Sequence, residues 1–203
     1  AIGVGGMLIE DQNRDRKQQR ADKAAAVVDE AVIAQKLRAA MAARSNPETF
    51  IIGRTDAYGT LGLDGAIRRA EGYLKLGVDG VFIAGLRTVE DYERVGRTLN
   101  GAILFAAMFE GGATPWIAPA ELGRMGFRAI SFPVSLMFRV VATMHEALAN
   151  LRDYADGKRP MAAMKDMAGA RVVLDDAVEL KRWRDIEAQF GDQPPAAHLE
   201  KRA

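Results

Sequence analysis

Five short apolar runs, each followed by a helical pattern, constrain this chain more than any other feature. The runs are Gly6–Ile9, Phe50–Ile52, Gly80–Ile83, Ala102–Phe105 and Phe127–Phe132. Their apolar character is continuous rather than alternating, as in strands buried on both faces of a parallel sheet. The helical patterns that follow the first four are Val28–Arg44, Leu63–Leu76, Thr88–Leu99 and Ala118–Met125. Asp29 is placed to N-cap the first, whose apolar stripe is Val32, Ile33, Leu37 and Met41. Leu63 and Asp64 open the second and Gly77 closes it. Thr88 to Asp91 has the form of a capping box, and Pro119 suits a first helical turn. Repeated strand–helix units predict βαβ topology and a parallel sheet. Such a sheet is either open or part of a closed barrel, and the pattern alone favours neither.

Beyond Pro133 the texture changes. Ser135–Asp156 reads as one long amphipathic helix, Met161–Met167 is Met-rich, and Leu174–Phe190 reads as a further helix. Residues 191–203 are rich in proline, alanine and charge, the composition of a frayed end. The chain is therefore divided into an α/β portion, 1–157, and a helical C-terminal arm and tail, 158–203. Apolar helical spacing does not distinguish an arm that packs on its own domain from one that crosses to a partner.

The 203 residues suffice for one sizeable core. Lys plus Arg is 28 and Asp plus Glu is 27, so there is no electrostatic reason to expect nucleic acid or an anionic membrane as partner. No apolar run has membrane-spanning length. Cysteine is absent, which removes disulfides, thiolate metal sites and cysteine nucleophiles together, and is compatible with a cytoplasmic setting. The text opens at Ala1 on a Gly-rich turn into a strand, without an initiator Met, which predicts further sequence upstream.

Two of the apolar runs end abruptly in charge. Glu10 and Asp11 follow Ile9, and Arg54 and Asp56 follow Ile52. At the C-terminal ends of parallel strands, charge of this kind marks a functional rim. Neighbouring side chains on a strand face opposite ways, so at most one of Glu10 and Asp11 points into a given site. A carboxylate there can hold Mg²⁺ directly or through water, and equally can serve as a surface or capping group. Arg54, at the mouth of a buried strand, must be paired. Its planar fork suits a substrate carboxylate or phosphate, and a structural ion pair with Asp56 or Glu10 is the alternative. Glu110, Gly111, Gly112 and Thr114 follow the fourth run, where the glycines let backbone N–H groups approach an anion. Ser135 opens the helix after the fifth, whose N-terminus can also receive one. Each has an ordinary loop or capping reading beside it.

Taken in order, Ile9-Glu-Asp-Gln12, Gly53-Arg-Thr-Asp-Ala57, the stretch from Gly62 to Phe82, Phe109-Glu-Gly-Gly-Ala-Thr-Pro115 and the stretch from Leu122 to Ser135 resemble the isocitrate lyase / phosphoenolpyruvate mutase superfamily, nearest its 2-methylisocitrate lyase-like branch. The resemblance runs from Gly6 to about Arg152. It implies a (β/α)8 TIM-type barrel with its last five strands in this chain, a helical C-terminal extension, and the site at the C-terminal mouth. It implies Mg²⁺, with Mn²⁺ as substitute, and a small 2-oxo or 2-hydroxy carboxylate. Glu10 is similar to a metal-shell carboxylate of the family and Arg54 to its carboxylate-binding arginine, with Glu110, Gly111, Gly112, Thr114 and Ser135 also around the substrate. The family pattern further implies a homotetramer in which C-terminal helices are exchanged.

Three positions depart from that pattern. The lid cysteine of the family's lyases aligns with Gln18, a rim glutamate with Ala84 and a strand-end asparagine with Ala107. Cleaving an isocitrate-type substrate needs a proton delivered to the departing carbanion. Decarboxylating an oxaloacetate-type substrate through a metal-stabilised enolate lets solvent do this. The expectation is a carbon–carbon lyase with Arg54, Glu10 and Gln18 at its centre, closer to oxaloacetate decarboxylation than to isocitrate cleavage. The alternatives are a phosphonate mutase or hydrolase of the same superfamily, or a non-catalytic ligand-binding paralogue.

Overall fold

The computed structural model describes residues 3–13, 27–162 and 166–191. Five strands form one sheet in the order β1 (Gly6–Glu10), β2 (Phe50–Thr55), β3 (Gly80–Ile83), β4 (Ile103–Ala107), β5 (Phe127–Ser131). Every neighbouring pair is parallel. Four helices alternate with them: α1 (Glu30–Ala43), α2 (Tyr58–Lys75), α3 (Val89–Thr98) and α4 (Pro119–Arg124). Strand order equals sequence order, so each crossover turns the same way and lays its helix on the same face. Singly wound strands of this kind are those of a TIM-type barrel, which settles the choice that the sequence pattern left open.

Core composition follows from this winding. On the helix side, Ile33 and Leu37 of α1, Ala66, Ala70 and Tyr73 of α2, and Tyr92 and Val95 of α3 bury against Ile51, Val81, Ile83, Leu104 and Ala106 of the strands. The opposite face carries a smaller cluster of Ile52, Phe82 and Ala107, with Ala84 and Phe105 packed on it. The Phe82 and Phe105 rings stand 5.2 Å apart. Tight backbone packing between strand and helix depends on Gly53, where a Cβ would lie 2.8 Å from Cδ2 of Tyr73.

Local signals were realised unevenly. Thr88 and Asp91 form the expected reciprocal capping box on α3. Gly77 has the left-handed conformation (φ 92°) that ends α2, and Pro119 lies in the first turn of α4. Asp29 occupies the N-cap of α1, but its side chain makes no capping hydrogen bond; its carbonyl instead accepts from Val32 and Ile33. The α2 segment starts at Tyr58, ahead of Leu63, with a kink at Gly62 (φ 68°).

By contacts the chain divides into Ala1–Thr143 and Met144–Ala203, a boundary inside α5 (Ser135–Ala155). No residue of α5 is buried. The single C-terminal helix expected over Leu174–Phe190 is two helices, α6 (Met167–Ala177) and α7 (Leu180–Phe190). They break at Glu179, whose φ of 52° is left-handed. No described helix is long and apolar enough to cross a membrane.

Candidate active site

Glu10 and Arg54 are register partners on β1 and β2, at the C-terminal ends of both strands. Nη1 of Arg54 stands 3.4 Å from Oε2 of Glu10. The guanidinium donates two further hydrogen bonds to Asp56, from Nε to Oδ2 (2.9 Å) and from Nη2 to Oδ1 (2.7 Å). Its carbon lies 5.4 Å from the centroid of Phe82, the register partner of Arg54 on β3. The ion pairs that the sequence offered as an alternative for Arg54 are thus both present. They do not exhaust it: a guanidinium has five N–H donors, and the Nη1–Nη2 edge retains some after Asp56 is served. The pairing with Asp56 fixes the plane in which that edge points.

Burial acts to lower the pKa of Arg54. The hydrogen bonds that Arg54 donates to Asp56, then the charges of Asp56, Glu10 and Asp11, outweigh burial and raise it above its ordinary value. The cation is therefore permanent at any working pH.

Asp11 turns to the opposite face, as strand alternation requires. It is fully buried, with a relative exposure of 0%. Its Oδ2 accepts from the Thr55 hydroxyl (2.7 Å), the Tyr73 hydroxyl (2.7 Å) and Nη1 of Arg69 (3.0 Å), and its Oδ1 from the backbone N–H of Asp56 (2.9 Å). Nη2 of Arg69 donates to the Val28 carbonyl (2.8 Å), and the Val28 N–H donates to the Asp11 carbonyl (2.8 Å). One buried carboxylate thus ties the end of β1, the end of β2, helix α2 and the chain leading into α1. Sequence reasoning paired Asp11 only with its neighbour and overlooked Arg69 and Tyr73. The missed signal is an arginine on the buried stripe of α2, one turn before a buried tyrosine, since a buried cation demands an anion.

The remaining expected residues lie past the ends of β4 and β5. Glu110 forms a bidentate pair with Arg139 of α5, one of its bonds being Nη2 to Oε1 at 2.7 Å. That pairing, more than anything else, lowers the pKa of Glu110. Glu110 is thus engaged by Arg139, a residue that the sequence reading did not single out. Gly111 has a left-handed φ of 75°, and Thr114 is half-buried in the same loop. Ser135 is the first residue of α5 and is half-buried. Gln18 lies outside the described residues.

Mg²⁺ asks little of a protein: one or two carboxylates, with water and substrate oxygens completing six positions. Among the described residues no group of three or more metal-ligating side chains is gathered. Asp11 is consumed by its buried partners and Asp56 by Arg54. Glu10, partly exposed on the mouth side, is the carboxylate that suits a single contact to such an ion.

A singly wound parallel sheet of this kind is that of a TIM-type barrel, and the Glu10–Arg54 pair stands at its C-terminal rim. The chain belongs to the phosphoenolpyruvate phosphomutase family, which it matches over residues 1–152, within the isocitrate lyase / phosphoenolpyruvate mutase superfamily. It is 32% identical to a probable 2-methylisocitrate lyase of Corynebacterium glutamicum over 152 residues, 75% of this chain and 50% of that protein. It is similar to the crystal structure of 2,3-dimethylmalate lyase (TM-score 0.72, 30% identity, 92% of this chain and 62% of that one). It is likewise similar to oxaloacetate acetylhydrolase bound to 3,3-difluorooxalacetate (TM-score 0.77, 25% identity, 94% and 63%). The chain spans about half the length of the curated relatives it matches.

Proposed function

We propose that the intact protein is a Mg²⁺-dependent carbon–carbon lyase acting on a small 2-oxo or 2-hydroxy carboxylate. The observation that carries this reading is the Glu10–Arg54 pair on one rung of the sheet, 3.4 Å apart, with Arg54 clamped by Asp56. The free guanidinium edge holds the substrate carboxylate in a fixed plane, and the Phe82 ring beneath it limits how far that carboxylate descends. Glu10 would hold the ion, which when bound would supply positive charge toward the substrate's oxygen. With no cysteine anywhere in the chain, the reaction that asks least of the site is loss of CO₂ from an oxaloacetate-type acid, since solvent can protonate what remains.

This reading includes a cytoplasmic, homo-oligomeric protein, with the segment beyond residue 157 acting as an arm exchanged between subunits. Leu136, Val140, Val141, Met144 and Leu148 of α5 are exposed, as are Trp183, Ile186 and Phe190 of α7. That much uncovered apolar side chain suits a subunit interface.

The test is turnover of oxaloacetate and of methylisocitrate by the intact protein, with and without Mg²⁺, and by Arg54→Ala. The reading expects metal-dependent pyruvate release from oxaloacetate that is lost in Arg54→Ala. Faster turnover of methylisocitrate would reverse the order of substrates, and equal activity in Arg54→Ala would remove the reading altogether.

A further inference from the structure

Between α1 and α2 lies a cavity of about 120 Å³, lined by Ala34 on one side and by Arg69, Gly72, Tyr73 and Leu76 on the other. Arg69 is only 6% exposed. Its Nη1 and Nη2 are engaged by Asp11 and by the Val28 carbonyl, at 3.0 and 2.8 Å. Its Nε is also buried and has no partner among the described residues. A buried donor left unmet is costly, so an acceptor at this point is worth having. Ala34, Gly72 and Leu76 bring no side-chain acceptor, and the Tyr73 hydroxyl donates to Asp11.

Gly72 keeps the cavity open. Its backbone is helical, so no turn demands a glycine there. A Cβ at this position would meet nothing within 4 Å. Alanine would suit the helix better, yet the space beside the unmet donor is left unfilled. An apolar cavity of ~150 Å³ admits benzene, while one water takes up ~30 Å³ of the liquid. The space therefore exceeds a single water and falls short of an aromatic ring.

We propose that this cavity is a ligand site separate from the Glu10–Arg54 rim, and that it takes a small monocarboxylate of the size of acetate or propanoate. One carboxylate oxygen accepts from Nε of Arg69, and the short alkyl body rests on Ala34, Leu76 and the bare backbone at Gly72. The donor belongs to a guanidinium, so an anionic acceptor makes a stronger hydrogen bond than a neutral one. Asp11 already balances the charge of Arg69. At the opening, exposed Arg68 offsets exposed Glu30. The first turn of α1, which has no side-chain cap, adds positive potential on that side. A second carboxylate on the ligand would face apolar walls without a partner, which restricts the class to monoacids. Arg69 and Tyr73, the two α2 residues that hold Asp11, both line the site, so its occupant touches the residues that fix the end of β1. None of this depends on the lyase reading.

The experiment is calorimetric titration of the intact protein with acetate, propanoate and the neutral isostere acetamide. Both acids should bind saturably, and with unchanged affinity in Arg54→Ala, which disables the rim. Acetamide should bind about tenfold more weakly than acetate. Gly72→Leu fills the cavity with a good helix former and should weaken both acids by at least about tenfold. Gly72→Ala, which strengthens the helix and takes less of the space, should weaken propanoate more than acetate. The site is overturned by the absence of saturable binding, by loss of binding in Arg54→Ala, by acetamide binding as well as acetate, or by undiminished binding in both Gly72 variants. Each of these outcomes leaves the turnover test of the lyase reading untouched.

Discussion

The Tyr73 hydroxyl donates a 2.7 Å hydrogen bond to Asp11 across a sequence separation of 62 residues. Through the same carboxylate oxygen, Arg69 of the same helix forms a 3.0 Å ion pair. Asp11 immediately follows Glu10, so whatever holds Asp11 also fixes where the mouth-side carboxylate emerges. Asp11→Asn keeps the shape and removes the charge, leaving the Arg69 cation buried without its counter-ion. Its expected cost is about 3–5 kcal/mol of stability. Tyr73→Phe removes one donor and should cost about 1–2 kcal/mol. Urea unfolding of the intact protein measures both. An Asp11→Asn loss below that of Tyr73→Phe would contradict the role assigned to the ion pair.

Gly53→Ala should injure the same network from the strand side. The added methyl would sit 2.8 Å from Cδ2 and 3.0 Å from Cβ of Tyr73, too close for either to stay. The ring is buried and cannot swing away without releasing Asp11. Overpacking of this kind costs about 1–3 kcal/mol. Combined with Tyr73→Phe, the loss should be less than the sum of the two single losses, because both act through one contact. Strict additivity in a double-mutant cycle would sink the coupling.

Much of this arrangement was legible beforehand, and the limits are physical. Strand runs were readable from their continuous apolar character, although only β3 is buried throughout and β1 has no buried residue; helix ends were readable because Thr88, Gly77 and Pro119 act locally. The Glu10–Arg54 juxtaposition followed from placing both at strand ends. The Asp11 hub was not legible: its partners Thr55, Arg69 and Tyr73 come from distant positions, and only the register and the rotation of α2 bring them together. The break at Glu179 was missed for a different reason. Apolar spacing continues across it, and a left-handed glutamate gives no compositional warning.

Alkaline destabilisation is a further expectation. Burial first, and then the charge of Asp91, push the Tyr92 hydroxyl up to about 12. Burial and the hydrogen bond to Asp11 raise that of Tyr73 further above the usual range. The folded chain thus holds these phenolic protons more tightly than the unfolded chain, where tyrosine titrates near ~10. Their contribution is complete below that value and is lost as pH rises through 12. Tyr92→Phe keeps the ring, which packs 5.3 Å from Phe127, and removes the titration. Denaturation midpoints at pH values below and above ~10 should fall less steeply for this variant than for the original protein. Identical slopes would assign the alkaline loss elsewhere.

Asp56 offers the sharpest separation of site from fold. Its carboxylate takes two of the Arg54 donors at 2.9 and 2.7 Å, and its backbone N–H serves Asp11. Asp56→Asn leaves the backbone bond intact, so Asp11 keeps its partner and the core its packing. The side chain, however, can no longer accept two charge-assisted bonds, and the guanidinium plane is released. Orientation is then supplied by the substrate itself at the moment of binding. The expected result is a KM raised about tenfold, equivalent to ~1.4 kcal/mol, with stability changed by less than about 1 kcal/mol. Arg54→Lys should lose more, because a lysine cannot serve Asp56 and a substrate carboxylate in one plane. Steady-state kinetics on an oxaloacetate-type substrate, paired with urea unfolding, checks both variants. A KM left unchanged by Asp56→Asn would mean that the clamp on Arg54 serves the fold and not the ligand.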